Sequence, residues 1–206
     1  MTDSDFERKF EYGVAMRAIP EEKVSGDHHL IRFHPEGALF AVVDGAGHGS
    51  EAASAAAVAV SVLQTAPPSL PGPLLNLCHQ ALRSTRGAAI SLAFIRFSDF
   101  SMRWAGIGNV EVVLLKKSED SQPQKETLLL RNGVVGYQFS QPRDSTVALG
   151  PGDMLIFATD GVDPYFLDGL SLNDPCQAIA ESIMSRHAKS TDDALALVIR
   201  VIKGVP

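Results

Sequence analysis

Cysteine, clustered positive charge and long apolar runs are all scarce in this chain of 206 residues. The two cysteines, Cys78 and Cys176, lie far apart without a CxxC pair, which excludes a disulfide framework or a zinc knuckle. The formal net charge is -6 and no lysine or arginine block occurs, which argues against a nucleic-acid partner. The sequence has no apolar run of about 18 residues, so no membrane span is predicted. The charged N-terminus lacks the apolar core of a signal peptide, so we expect a cytoplasmic protein that does not bind membranes.

The composition is that of a globular protein, with 45% hydrophobic and 20% charged residues. The length fits one domain with a sizeable core, and we expect residues 1–206 to form that domain. Strands followed by two consecutive helical patterns predict helices that cover one face of a sheet. Alternating residues predict a strand from about Phe10 to Arg17, and Asn132-Gly133 predicts a tight hairpin turn.

The chain is organised around the stretch Asp44-Gly45-Ala46-Gly47-His48-Gly49. A buried strand is predicted before it, at 38–43, and an alanine-rich helix after it, from Ser50 to Gln64. Ser50 is the predicted N-cap of that helix. Packing does not require a carboxylate and an imidazole in such a loop, so the stretch indicates a functional site.

Three other turns place an acid beside a strand end. They are Ser25-Gly26-Asp27, Thr159-Asp160-Gly161 after the strand 154–158, and Asp192-Asp193 before a closing strand. Carboxylates gathered in one place repel one another unless a cation neutralises them. Oxygen ligands suit Mg²⁺ or Mn²⁺, and two such ions about 3.5–4 Å apart can activate a water for attack on a phosphoryl group. A single Asp-Gly pair is usually only a turn. The prediction of a metal site therefore depends on all four acid-bearing turns occurring in one chain.

These motifs resemble a known family. Asp44-Gly45-Ala46-Gly47-His48-Gly49 is similar to the DGxGHG motif of the SpoIIE-like branch of the metal-dependent protein phosphatases (protein phosphatase 2C). Ser25-Gly26-Asp27 looks like the upstream GD motif, and Thr159-Asp160-Gly161-Val162 looks like the TDG motif. Asp192-Asp193 resembles the terminal DD motif. The order and spacing match from about Tyr12 to Ile202, which is most of the chain.

The resemblance implies a fold and a reaction. The fold is α/β (α+β), a four-layer α-β-β-α sandwich of two mainly antiparallel sheets flanked by helices. The reaction is hydrolysis of phosphoserine or phosphothreonine in proteins, with Mn²⁺ or Mg²⁺ and two ions expected. The stretch 106–111 (GIGNVE) and the small size resemble the stand-alone stressosome feedback phosphatases of this family. The implied partners are phosphorylated stressosome scaffold-type proteins.

The resemblance also implies residue roles. Asp44 would bridge both ions, the Gly45 carbonyl would be a ligand, and Asp160 and Asp192 would complete the shell of one metal. Asp27 would be an accessory metal residue, and Asp193 would lie behind the ligands.

The chain departs from the family pattern in three ways. The residues 194–196 after the two terminal acids include no threonine. Only about 30 residues separate Asp160 from Asp192, so we expect no flap subdomain and an open site. No arginine clearly matches the phosphate-holding arginine of eukaryotic relatives, and Arg17 and Lys23 are the candidates.

The histidines have competing interpretations. His48 could be a hydrogen-bonding or leaving-group acid, which makes it a candidate catalytic residue together with Asp44 and Asp160. It could equally be a structural residue that binds the loop backbone. His28 and His29 are expected to be structural, because adjacent strand residues face opposite ways.

Two other functions are compatible with parts of the sequence. A catalytically silent phosphatase fold that only binds a partner would have no metal at Asp44 and Asp160. A nucleotide-binding enzyme could use the glycine loop, but the loop has neither the GxGxxG spacing nor the lysine of a P-loop.

Overall fold

The computed structural model describes residues 9–20, 22–67, 69–118, 123–142 and 144–202. Within these residues the chain forms twelve strands and three helices. The strands are β1 (Phe10–Arg17), β2 (Asp27–His34), β3 (Gly37–Gly45), β4 (Ala88–Arg96), β5 (Ser101–Ile107), β6 (Glu111–Lys116), β7 (Gln124–Thr127), β8 (Gly133–Val134), β9 (Gln138–Phe139), β10 (Ser145–Ala148), β11 (Met154–Ala158) and β12 (Ala194–Val201). The helices are α1 (Gly49–Thr65), α2 (Pro71–Leu82) and α3 (Cys176–His187).

Ten of these strands form two antiparallel sheets of five strands each. The first sheet has the order β1-β12-β11-β6-β7 and the second β10-β5-β4-β3-β2, while β8 and β9 pair as a separate hairpin. The fold class expected from the sequence resemblance is confirmed.

The side-chain alternation along β3 shows how the layers stack. Phe40 and Val42 point into the cluster between the two sheets, while Leu39, Ala41 and Val43 pack on the other face against α1 and α2. Both faces of the strand are therefore covered, which explains why its sequence is a continuous apolar run rather than an alternating one.

The same alternation on β12 completes the sandwich. Leu195 and Leu197 enter the cluster between the sheets, whereas Ala196 and Val198 face α3 on the outside. The layers are thus α1 and α2, the second sheet, the first sheet, and α3.

Two local predictions were wrong. Ser50 does not cap α1, because the helix begins one residue earlier, with His48 at the N-cap and without a side-chain capping bond. The pair Asn132-Gly133, a common hairpin turn in sequence, does not form the turn here: Gly133 pairs with Phe139, and residues 135–137 connect the two strands. A Cβ on Gly133 would lie 2.6 Å from the Cα of Phe139, so close strand approach requires this glycine.

The two cysteines are free and buried, as the sequence predicts. Across the described parts of the chain, none of the helices combines the length and apolar character needed to cross a bilayer.

Candidate active site

An open cleft of about 510 Å³ lies where β3 and β11 end and β12 begins. Its lining residues come from six separate parts of the chain. They are Asp44, Ala46, Gly47, His48, Ala89, Gly108, Asn109, Asn132, Gly133, Val134, Asp160, Thr191 and Asp192. Three of the predicted metal ligands, Asp44, Asp160 and Asp192, therefore share one cleft.

Strand register brings the first two acids together. β2 and β3 form a tight hairpin in which Asp27 and Asp44 are direct antiparallel partners. Asp44 faces the cleft, whereas Asp27 is only 1% exposed and is not among the cleft-lining residues. The sequence predicted that both acids end neighbouring strands, and the structure adds that they are paired and face different surroundings.

Asp27 is held from across the sandwich by Thr159. The Thr159 hydroxyl donates to Asp27 Oδ2 over 2.8 Å and accepts the Leu195 N–H over 2.9 Å. One hydroxyl thus connects the two sheets directly behind the cleft. No threonine follows the terminal acids, and Thr159 of the predicted Thr-Asp-Gly motif supplies a hydroxyl here instead.

The two terminal acids face different environments. Asp192 lines the cleft, and its Oδ1 accepts the Asp193 N–H over 2.9 Å. Asp193 is 3% exposed, and its two carboxylate oxygens accept the N–H groups of Ile19 and Gly26 over 2.8 and 2.7 Å. Asp193 therefore lies behind the cleft and fixes the segment between β1 and β2.

The acids around the cleft repel one another. Burial, followed by the negative charges of Asp27, Asp160, Asp192 and Asp193, raises the pKa of Asp44 to about 8. Burial also raises the pKa of Asp27 to about 7, although the hydrogen bond from Thr159 opposes the shift. The pKa of Asp192 is raised chiefly by burial. An ionised Asp44 is costly without a positive charge nearby.

The residues fit a divalent ion that is bound through oxygen atoms. Among the described residues, no three His, Cys, Asp or Glu side chains converge closely enough to hold a metal by themselves. Mg²⁺ does not require such a cage, because it commonly takes one or two carboxylates and retains several waters. The cleft supplies oxygen donors, because three mutually repelling carboxylates line it and the Gly45 carbonyl follows one of them in the chain.

The glycines that follow two of these acids are required by packing. A Cβ on Gly45 would lie 2.1 Å from the carbonyl oxygen of Ala52, and one on Gly161 would lie 1.8 Å from that of Asp193. In both cases neighbouring backbone passes too close for any side chain. The two Asp-Gly pairs thus let α1 and the start of β12 approach the acids.

His48 lies on the cleft wall and its ring has a carboxylate partner. His48 Nδ1 is 3.0 Å from Glu22 Oε1. Sequence reasoning placed His48 near the acids but did not find Glu22, because the two are 26 positions apart.

The sequence patterns also did not identify Asn109 and Arg86 as site residues. Asn109 lines the cleft, and its side-chain amide donates to Asp160 Oδ2 over 2.5 Å. Arg86 lies over the glycine loop, where a Cβ on Gly47 would be 2.9 Å from Nη1, and it pairs with Glu51. The stretch 106–111 could have indicated Asn109, whereas nothing local in the sequence distinguishes Arg86.

The remaining candidates lie away from the cleft lining. Arg17 donates to the carbonyl oxygens of Ala188 and Lys189, and Lys23 is exposed. His28 and His29 lie on β2 and do not line the cleft, and burial lowers the pKa of His29.

Comparisons with known proteins agree with this fold. The family model for Stage II sporulation protein E (SpoIIE) matches residues 34–202. Phosphoserine phosphatase RsbX of Bacillus subtilis (strain 168) is 23% identical over 176 residues, which cover 84% of this chain and 85% of that protein.

Solved structures extend the comparison. One from a study of the bacterial stressosome as a modular system has a TM-score of 0.84 and 27% identity, covering 93% of this chain and all of the other. RsbX in complex with magnesium has a TM-score of 0.82 and 21% identity, covering 93% of this chain and 95% of that one. With the family model spanning most of its length, the chain belongs to the SpoIIE family of protein phosphatase 2C-type domains.

Proposed function

We propose that this protein is a metal-dependent protein serine/threonine phosphatase whose substrates are phosphorylated stressosome scaffold-type proteins. The observation that carries the proposal is the convergence of Asp44, Asp160 and Asp192, from three separate strand ends, on one open cleft. In such a cleft the carboxylates need a cation, and a phosphate monoester needs the same cation to offset its own negative charge.

The proposed ligands are Asp44, the Gly45 carbonyl, Asp160 and Asp192, with Asp27 as the accessory acid behind Asp44. Bound Mn²⁺ or Mg²⁺, two ions in this proposal, would polarise a water for in-line attack on phosphorus. Asn109 would keep Asp160 oriented through its amide, and Thr159 would hold Asp27 in place. His48, on the cleft wall, would protonate the departing serine or threonine oxygen.

The proposed partner class rests on the relatives and on the shape of the site. One relative is named a phosphoserine phosphatase, and a solved structure with 27% identity comes from stressosome work. Between β11 and β12 the chain has one helix, α3, and no inserted subdomain. We therefore propose one catalytic domain with an open cleft, which would take its specificity from docking on a folded partner in the cytoplasm and act there as negative feedback in stress signalling.

The test is phosphate release from a phosphorylated stressosome scaffold protein with Mn²⁺, compared among the wild type, Asp44→Asn and Asp99→Asn. Asp99 is an exposed acid that pairs with Arg96 in the β4–β5 turn, so its variant controls for loss of charge. We expect release by the wild type and Asp99→Asn only. Equal release by Asp44→Asn would overturn the assignment.

A second measurement separates the enzyme from a catalytically silent binding module. Calorimetric titration with Mn²⁺ should show binding to the wild type that weakens strongly in Asp44→Asn. If the protein binds the scaffold but neither binds Mn²⁺ nor releases phosphate, it is the binding module instead.

A further inference from the structure

The contact between His48 and Glu22 is built into the surrounding chain. Glu22 Oε1 lies 3.0 Å from His48 Nδ1, and the carboxylate rests against the first residue of α1. A Cβ on Gly49 would lie 2.7 Å from Glu22 Oε1, and Gly49 has a φ of +75°. Glycine at this position therefore both permits the left-handed backbone and leaves room for the carboxylate.

The segment that carries Glu22 is fixed at both ends by one buried acid. Asp193 accepts the N–H groups of Ile19 and Gly26 on its two oxygens, and the Glu22 N–H donates to the Ile19 carbonyl oxygen over 2.9 Å. The two terminal acids therefore contribute to the site in different ways. Asp192 lines the cleft, and Asp193 fixes the segment whose Glu22 contacts His48.

Hydrogen-bond chemistry assigns the ring protons of His48. An ionised carboxylate only accepts, so Nδ1 must carry the hydrogen that it donates to Glu22. The other nitrogen, Nε2, is then the atom that can gain or lose a proton. Glu22 occupies Nδ1. Because His48 lines the cleft, the proton that it can exchange with a substrate there is the one on Nε2.

We propose that Glu22 is a positioning residue that holds His48 as the leaving-group acid and thereby adapts the site to phosphate esters of aliphatic alcohols. The inference rests on the proposed phosphatase function and adds to it. The serine or threonine oxygen leaves poorly unless it is protonated as the bond to phosphorus breaks, whereas a nitrophenolate leaves without a proton.

In the proposed reaction a water oxygen replaces the serine oxygen on phosphorus. A water oxygen bonds to phosphorus and its proton passes to solvent. The bond between phosphorus and the serine oxygen breaks, and its electron pair stays on that oxygen. The Nε2 proton of the His48 imidazolium moves to the same oxygen, which leaves as the free hydroxyl, and the neutral imidazole regains a proton from solvent.

The stability of the protein is a poor test of this role. The side chains of His48 and Glu22 are 64% and 34% exposed, and exposed ion pairs contribute little to folding. The informative readout is the dependence of the rate on the leaving group.

The experiment compares the wild type, Glu22→Gln and Glu51→Gln on a phosphoserine peptide and on p-nitrophenyl phosphate, with Mn²⁺ present. Glu51 is the matched control, because it is an exposed acid in the first turn of the same helix and pairs with Arg86. We expect Glu22→Gln to lower kcat on the phosphopeptide about tenfold while leaving kcat on p-nitrophenyl phosphate nearly unchanged. Glu51→Gln should leave the ratio of the two rates as in the wild type.

A double variant tests whether Glu22 acts through His48. Adding Glu22→Gln to His48→Ala should cause no further loss on the phosphopeptide, because the group that Glu22 orients is already absent. Equal losses on both substrates, no loss on either, or the same loss with and without His48 would each overturn the inference. A wild type inactive on both substrates would instead overturn the proposed function.

Discussion

Asp192 and Asp193 are adjacent in the chain, yet the fold puts them to opposite uses. Asp193 is buried and both of its oxygens accept backbone N–H groups, whereas Asp192 lines the open cleft beside Asp44 and Asp160. A carboxylate that receives two hydrogen bonds from fixed amides is already stabilised by the protein. One that faces other carboxylates is not, and it remains available to a cation.

The same contrast separates the β2–β3 partners. Asp27 receives a hydrogen bond from Thr159 behind the cleft, while the charges that act on Asp44 are those of other acids. Burial, rather than the place in a motif, therefore separates the structural acids Asp27 and Asp193 from the three acids that line the cleft.

The largest expected effect comes from changing the two adjacent acids separately. Asp192→Asn should lower phosphate release on the order of a hundredfold, because it removes a negative ligand. It should leave stability nearly unchanged, since the amide oxygen can still accept the Asp193 N–H. Asp193→Asn has one acceptor oxygen for two N–H donors, so we expect a loss of about 2 kcal/mol in the free energy of unfolding.

Urea denaturation and phosphate release, measured on both variants, give the check. If Asp192→Asn proved the less stable protein and Asp193→Asn the less active one at full folding, the division of roles would be reversed.

The second prediction concerns pH in the absence of metal. The pKa of Asp44 is about 8 and that of Asp27 about 7, against an ordinary value of 3.8. The folded protein therefore binds more protons than the unfolded chain between these values, and its stability falls as pH rises from about 4 to about 8. With a chelator present, Tm should drop across this range, and the drop should be smaller in Asp44→Asn.

Thermal unfolding with a chelator and with Mn²⁺ makes that measurement. Mn²⁺ should restore Tm at the alkaline end in the wild type and much less in Asp44→Asn. A Tm independent of pH without metal would contradict the repulsion.

A third prediction concerns Asn109, which donates to a cleft acid as Thr159 does to Asp27. Asn109→Ala should weaken Mn²⁺ binding about tenfold, because residues that orient metal ligands commonly have effects of this size. Asn76→Ala, an exposed asparagine on α2, is the control that calorimetry should find unchanged. Unaltered affinity in Asn109→Ala would show that Asp160 needs no support.

The smallest effect is expected at Arg86, a cation beside the anionic cleft. Arg86 lies over Gly47 and could attract the substrate phosphate, so Arg86→Ala should raise KM a few-fold and leave kcat nearly unchanged. Arg83→Ala, another exposed arginine after α2, should change neither constant. Steady-state kinetics on a phosphopeptide would refute this role if the two variants behaved alike.

Local sequence patterns predicted the elements well and the ends of elements less well. The strand Phe10–Arg17 lies where the alternation placed it, and the buried run before Asp44 is the central strand. Ser50 and Asn132-Gly133 misled because capping and turn preferences are weak, and tertiary packing overrides them. The approach of α1 to Gly45 and of β9 to Gly133 decided those positions.

The amino-acid sequence was enough to predict which acids stand at strand ends, which runs are buried on both faces, and which family the chain resembles. Those properties depend on residue type and on spacings of a few positions. The folded chain was needed to see that Asp27 is paired with Asp44 and bound by Thr159, that Asp193 holds the segment bearing Glu22, and that Asn109 reaches Asp160. These contacts join residues up to 174 positions apart. The physical reason is that hydrogen-bond partners across two packed sheets follow from strand register and layer stacking, which no local pattern encodes.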